Sequence, residues 1–228
     1  LLIATTTSGR INAINNETGK LMWKQKTGSF GDISSGATIF SGRIYVGSHD
    51  QFLYCFDQIT GKIEWKFKAS GFIKVTPFVD NQKAFFATSN GIFYSVDKDT
   101  GEKIWETRFK NPIEISPVSI ENTIIVCDQR AQMFTINPAS GNQDLFQTFT
   151  STVSSNILAV GKTVIIGTRD GNLYCFNIEE KSLLWQKKLH TEVKGIINFE
   201  SYLYITCYDG TIYKLSRTAR GREIWKRK

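Results

Sequence analysis

Thr18-Gly19-Lys20-Leu21-Met22-Trp23 returns as Thr60-Gly61-Lys62-Ile63-Glu64-Trp65 and again as Thr100-Gly101-Glu102-Lys103-Ile104-Trp105. Trp185 and Trp225 continue the series, and Leu145 stands where one more tryptophan is expected. The marks at 23, 65, 105, 145, 185 and 225 are separated by 42, 40, 40, 40 and 40 residues, and they use every Trp in the chain. A short polar residue precedes each glycine position by four or five places: Asn15, Asp57, Asp97, Asn137, Asn177 and Ser216. Such side chains accept hydrogen bonds from backbone N–H groups two residues on, and glycine supplies the positive φ that closes a tight connection. The stretch therefore reads as a hairpin repeated six times. A period near 40 built from strands predicts a radial array of small sheets.

Working outward, Ile63, Trp65 and Phe67 alternate with Glu64, Lys66 and Lys68, the period of a half-buried strand. In residues 29–70 the other strands are expected at Ile33–Phe40, Arg43–Ser48 and Phe52–Phe56, so the unit has four. Residues 71–110 repeat the plan with Ile73–Phe78, Ala84–Ser89, the hairpin signal Asn90-Gly91, Ile92–Asp97 and the Trp105 strand. Units 111–150, 151–190 and 191–228 follow, and residues 1–28 hold only three strands. The fold class expected is all-β: a β-propeller of four-stranded antiparallel blades in one domain, 1–228. Its six units either close around one three-stranded blade or form an arc of a larger seven- or eight-bladed ring. An open arc would expose apolar blade faces and self-associate.

Composition agrees with a folded globular chain, at 41% hydrophobic and 21% charged residues, and no apolar run approaches a membrane span. The net charge of +7 is concentrated at one end. Arg217, Arg220, Arg222, Lys226, Arg227 and Lys228 stand against Glu223 alone. That reads as a solvated edge strand, with an anion or nucleic-acid contact as the alternative. It is not a basic groove interleaved with aromatics, so no nucleic-acid partner is expected. Three of the four cysteines fall in repeat positions filled elsewhere by small residues: Cys55 and Cys175 share theirs with Ala13, Ser95 and Thr135, and Cys127 shares its own with Gly47, Ala87 and Gly167. Buried free thiols follow, leaning toward a reducing compartment, while a secreted or periplasmic setting stays open. The chain starts Leu1-Leu2-Ile3, without a methionine or a recognisable signal peptide, which fits removal of a leader or of more of a parent protein.

Ala13-Ile14-Asn15-Asn16-Glu17-Thr18-Gly19-Lys20-Leu21-Met22-Trp23, with its near copy at Cys55–Trp65, resembles the PQQ-like, or quinoprotein-type, β-propeller repeat. The resemblance covers the whole chain. It implies that Trp23, Trp65, Trp105, Trp185 and Trp225 dock one blade on the next, with Leu145 and Lys181 departing from the pattern. The family's quinone-dependent dehydrogenases have eight blades, adjacent cysteines and acidic and amide metal ligands, whereas this chain has six motif copies and no adjacent Cys pair. Its non-enzymatic BamB-like branch acts by protein contact and is periplasmic and outer-membrane-associated, and similar propellers serve as regulatory parts of larger proteins. The resemblance thus favours a non-catalytic scaffold with a protein or peptide partner and no cofactor, the alternative being a fragment of a quinone-dependent dehydrogenase. One register column on the inner strands is the candidate partner-binding rim: Ser34, Lys74, Glu114, Ser154 and Lys194. Facing a channel mouth, it would offer two cations and a carboxylate, although Lys74 and Glu114 on consecutive blades are also expected to pair. His49 reads as a surface turn residue and His190 as a strand end, neither with an evident chemical partner.

Overall fold

The computed structural model describes residues 1–28, 32–218 and 220–228; the expected start of the second unit at residue 29 lies outside them. Twenty-three strands, and no helix among the described residues, form six antiparallel sheets. The first sheet has three strands, β1 (Leu2–Thr5), β2 (Arg10–Ile14) and β3 (Leu21–Lys26). The second comprises β4 (Ala37–Phe40), β5 (Arg43–Gly47), β6 (Phe52–Asp57) and β7 (Ile63–Lys68), and the third β8 (Phe78–Val79), β9 (Lys83–Ala87), β10 (Ile92–Asp97) and β11 (Lys103–Arg108). The fourth is β12 (Val118–Ile120), β13 (Thr123–Cys127), β14 (Gln132–Ile136) and β15 (Gln143–Thr148). The fifth is β16 (Leu158–Val160), β17 (Thr163–Gly167), β18 (Asn172–Asn177) and β19 (Ser182–Lys188). The sixth is β20 (Val193–Phe199), β21 (Tyr202–Cys207), β22 (Ile212–Ser216) and β23 (Glu223–Arg227). Each sheet pairs its strands in chain order, the blade plan of a propeller. The chain divides into two compact units, Leu1–Pro117 with Ala139–Asn142 and Val118–Pro138 with Gln143–Lys228.

Two corrections concern the innermost strands. Pairing begins only at Ala37 instead of Ile33, and the strand expected over Ile73–Phe78 is reduced to Phe78–Val79. The reason lies in what the backbone bonds to. Gly36 N donates to Thr76 Oγ1 at 2.9 Å, and Thr76 N donates to Ser116 Oγ at 3.0 Å. The N–H groups that would extend the ladder are thus consumed between successive sheets, and Pro77 has none to give.

The repeated tryptophan sits at the start of each outer strand, and its direct cross-strand neighbour is small: Ala13 faces Trp23, Cys55 faces Trp65, Ser95 faces Trp105 and Cys175 faces Trp185. A register shift follows at once in all four sheets, a bulge of the kind that re-aims a side chain. Within the first unit each indole then lies flat against the hairpin glycine of the next sheet. A Cβ on Gly61 would fall 2.5 Å from the Trp23 ring, one on Gly101 2.6 Å from Trp65, and one on Gly141 2.7 Å from Trp105. Trp23 Nε1 also donates to Gln58 O, and Trp65 Nε1 to Lys98 O, both at 3.0 Å. In the second unit a Cβ on Gly221 would meet Trp185 at 3.0 Å.

Leu145 is 55% exposed, and in its sheet the register shift moves to Met133/Phe134. Trp225 is half-buried, edge-on to Tyr204 with ring centroids 6.3 Å apart. Buried aliphatic and aromatic side chains fill the space between sheets, as where Tyr45, Leu53, Cys55 and Trp65 meet Ala84, Phe86, Tyr94 and Val96. Tyr54, Tyr94, Tyr174 and Tyr213 hold equivalent places on the third strands of their sheets; Tyr174 is half-buried and the others are buried.

Gly19 and Gly61 share a positive φ, +68° and +70°, but only Gly61 has an indole against it. Gly19→Ala should therefore cost the backbone penalty alone, about 1–2 kcal/mol. Gly61→Ala should cost about 1–3 kcal/mol more, the range for overpacking. Urea unfolding of the two variants checks this; equal losses would show that the indole contact carries no weight.

Candidate functional site

One backbone contact recurs at the end of the sheets where the inner strands begin. His49 N donates to Asp32 O at 2.9 Å, Ser89 N to Phe72 O at 2.8 Å, Arg169 N to Thr152 O at 2.9 Å and Tyr208 N to Glu192 O at 2.9 Å. The bond fixes the loop between the second and third strands against the segment leading into the inner strand, in four sheets. The side chains mounted on this constant frame differ in charge, size and polarity from sheet to sheet. The rim column Ser34, Lys74, Ser154 and Lys194 lies two residues beyond the four accepting carbonyls, and Glu114 holds the same register in the fourth repeat.

In the first unit Ser34, Lys74 and Glu114 are all exposed. Their neighbours two residues on form the chain from Gly36 through Thr76 to Ser116, so the three occupy the same level on successive sheets. Ser34 Oγ lies 2.8 Å from His49 Nε2, and the His49 ring stacks on Phe72 at 5.6 Å. Phe72 is itself 44% exposed. His49 thus has partners the sequence did not suggest. Lys74 and Glu114 do not pair; neither has an ion pair or hydrogen bond among the described residues.

In the second unit Ser154 Oγ donates to Val193 O at 2.8 Å, which ties that rim position into the fold. Lys194 Nζ lies 2.9 Å from Glu192 Oε1 and 5.4 Å from the Tyr208 ring, which is 72% exposed. Arg169 reaches the same Glu192 carboxylate at 3.8 Å. At His190, Nε2 lies 3.3 Å from Lys226 Nζ.

Of these loop positions Ser89, Arg169 and Tyr208 were not singled out in the sequence, and His49 was read only as a surface turn residue, although all four recur near the repeat interval. Their signal is weak because no residue type is shared: what repeats is the backbone bond. Each unit presents an aromatic ring beside a charged or imidazole group, the composition that concentrates binding energy at protein interfaces.

Donors for a quinone and its metal ion do not fit these residues. No group of three or more His, Cys, Asp or Glu side chains among the described residues could hold a metal ion. All four cysteines are free and buried, and none neighbours another in sequence. Burial pushes the Cys55 thiol up to about 12 and those of Cys175 and Cys207 up to about 11. Such thiols are protonated and inert at neutral pH.

Two features thus define the class: antiparallel blades locked by indoles, and a rim whose side chains vary on a fixed backbone frame. It is a β-propeller repeat protein. The chain belongs to the PQQ-like repeat family described as "Outer membrane protein assembly factor BamB", whose model matches residues 7–227. The crystal structure of BamB from Moraxella catarrhalis superposes with a TM-score of 0.82 at 14% identity, covering 99% of this chain and 72% of that one. The computationally designed Ika8 protein gives 0.88 at 13% identity, covering 99% and 70%. At these identities the likeness is one of fold. An alignment 74 residues long, which covers 28% of this chain, is 32% identical to the dehydrogenase subunit of a quinone alcohol dehydrogenase from Gluconobacter oxydans (strain 621H). That match spans only 10% of the dehydrogenase subunit's length. Among the described residues no helix is long and apolar enough to cross a membrane.

The raised thiols set a pH dependence. The unfolded chain loses these protons near the ordinary thiol value of 9.0, while the folded chain keeps them to about 11 or 12. Above pH 9 the unfolded state therefore binds fewer protons, and stability falls as pH rises toward the folded values. Urea midpoints taken from pH 8 to 11 should decline, and Cys175→Ala should flatten part of the decline. Labelling of all four thiols by iodoacetamide in native protein at pH 8 would contradict their burial.

Proposed function

We propose that this chain is a non-catalytic scaffold that captures a partner protein or peptide through the loop end of its blades, in the manner of an assembly factor. The observation that carries this reading is the repeated backbone bond at His49, Ser89, Arg169 and Tyr208, which holds chemically different side chains at equivalent places. A frame that costs nothing to vary is suited to recognition by contact. The free charges of Lys74 and Glu114 and the exposed rings of Phe72 and Tyr208 supply the contacts: rim charges steer and orient, aromatic rings anchor. The family description supports an assembly role, and membership alone does not name the partner. No nucleic-acid partner is proposed.

Charge removal tests this directly. Lys74→Ala with Lys194→Ala should weaken capture of the partner by roughly tenfold, in line with loss of oriented interface charges, while leaving the melting temperature unchanged. Tyr208→Ala should act in the same direction. Unchanged capture in both variants would discard the rim as the binding surface.

A second reading rests on the 74-residue likeness to the quinone alcohol dehydrogenase subunit, in which this chain is a fragment of such an enzyme. Adding the quinone with calcium separates the two. A melting shift accompanied by dye reduction would replace the scaffold reading, and an unmoved melt would remove the enzymatic one.

A further inference from the structure

The last hairpin breaks the repeat in length. Gly61 N closes onto Asp57 O at 2.9 Å and Gly101 N onto Asp97 O at 2.9 Å, each four residues back, whereas Gly221 N closes onto Ser216 O at 3.0 Å, five residues back. Both ends of the longer turn stay where the repeat puts them. Arg217 N donates to Ser201 O at 2.9 Å, as Gln58 N does to Gly42 O at 2.9 Å, and Gly221 still lies against the Trp185 ring. The extra length therefore falls between Arg217 and Gly221, the residue that lies against the Trp185 ring.

Three consequences meet there, all within the second unit. Trp23 and Trp65 each donate their indole N–H to the carbonyl that follows the capping residue, while Trp185 donates to nothing among the described residues. A cleft of about 270 Å³ opens, lined by Leu184, Trp185, Arg217, Thr218 and Arg220 together with Thr163 and Cys175. The Nε atom of Arg217 is buried and has no hydrogen-bond partner. Neither arginine forms an ion pair among the described residues.

An unpaired buried guanidinium donor is costly, and such groups in native proteins have partners. Two guanidinium groups and an indole N–H are donors only, so what completes them is an acceptor. A guanidinium matches the planar, two-oxygen geometry of a carboxylate, and the indole and leucine in the lining favour an apolar body attached to it. We propose that this cleft binds a carboxylate carried on an apolar or aromatic body. The same chemistry has two sources: a free small organic acid, or an acidic side chain beside a hydrophobic one on a partner chain. The site is separate from the rim of the blades and stands or falls without it.

The test follows the indole N–H resonances of ¹⁵N-labelled protein, with that of Trp185 identified by its loss in Trp185→Phe. The probes are phenylacetate and a blocked Phe-Asp dipeptide, with uncharged 2-phenylethanol and inorganic phosphate as controls. Saturable movement of the Trp185 resonance with at least one carboxylate is expected. It should weaken by roughly tenfold or more in Arg217→Gln/Arg220→Gln, as loss of charge-assisted bonds requires. The other indole resonances should hold their positions in that variant, which certifies its fold. Tighter binding of phenylacetate identifies a free acid, and tighter binding of the dipeptide a partner's side chain. The proposal is overturned if neither carboxylate moves the Trp185 resonance saturably, if all five indoles move together, if the double variant binds as the parent does, or if either control binds as tightly as the carboxylates.

Discussion

The contact of an indole face with a glycine of the neighbouring hairpin is the constraint from which the rest follows. A tryptophan pressed onto a backbone needs three concessions. The hairpin must have no Cβ at that point, the strand beside the tryptophan must carry a small residue, and a bulge must turn the ring toward its neighbour. Gly61, Gly101 and Gly141 make the first concession, Ala13, Cys55 and Ser95 the second, and the register shifts beside them the third. The exceptions obey the same logic. Gly19 has no indole against it and nothing within 4 Å. Where Leu145 replaces the tryptophan, the next hairpin carries Lys181 in the glycine position, at a φ of +50°. Once no ring presses there, only the turn's own preference for glycine remains, and a lysine can bear that cost.

At the opposite end of each sheet packing falls to residues beside the rim column, such as Ile33, Ile73 and Val193, and leaves Ser34, Lys74 and Lys194 outside it. The backbone bonds at His49, Ser89, Arg169 and Tyr208 hold that end in place without asking anything of the side chains. This division explains how one sequence repeats so strictly at one end of the blade and varies so freely at the other. It also explains why likeness of fold reaches from BamB to a designed protein without carrying a partner along with it.

What could be read in the sequence was whatever depends on residue type. The tryptophans, the capping residues Asp57 and Asp97 and the small cross-strand residues announce sheets, turns and blade order, because each position tolerates few alternatives. The inner strands were less legible. Their N–H groups are claimed by hydroxyls one repeat away, at Thr76 and Ser116, and a local alternation of apolar and polar residues contains no trace of that competition. The rim was half legible. The column from Ser34 to Lys194 could be found by register, yet the His49 to Ser34 bond and the stacking of His49 on Phe72 depend on loops brought together by the fold.

The sixth sheet shows how the same rules distinguish a packed face from one open to contact. Opposite Trp225, in the place of the small cross-strand residue, stands Lys214. Its ammonium lies 3.9 Å from the centre of the Tyr202 ring and 5.6 Å from that of Tyr204, and Ile197 and Phe199 on the same sheet are exposed. In the second and fifth sheets the corresponding position is a cysteine within a dry cluster against the following sheet. A lysine there could not be buried without stripping water from its charge, at a cost that two aromatic faces offset only in part. Lys214 therefore gives this face a different character from the cysteine-centred faces of the second and fifth sheets. Apolar surface remains on it at Ile197 and Phe199, so the charge is set among aromatic and aliphatic groups that shield it only on one side.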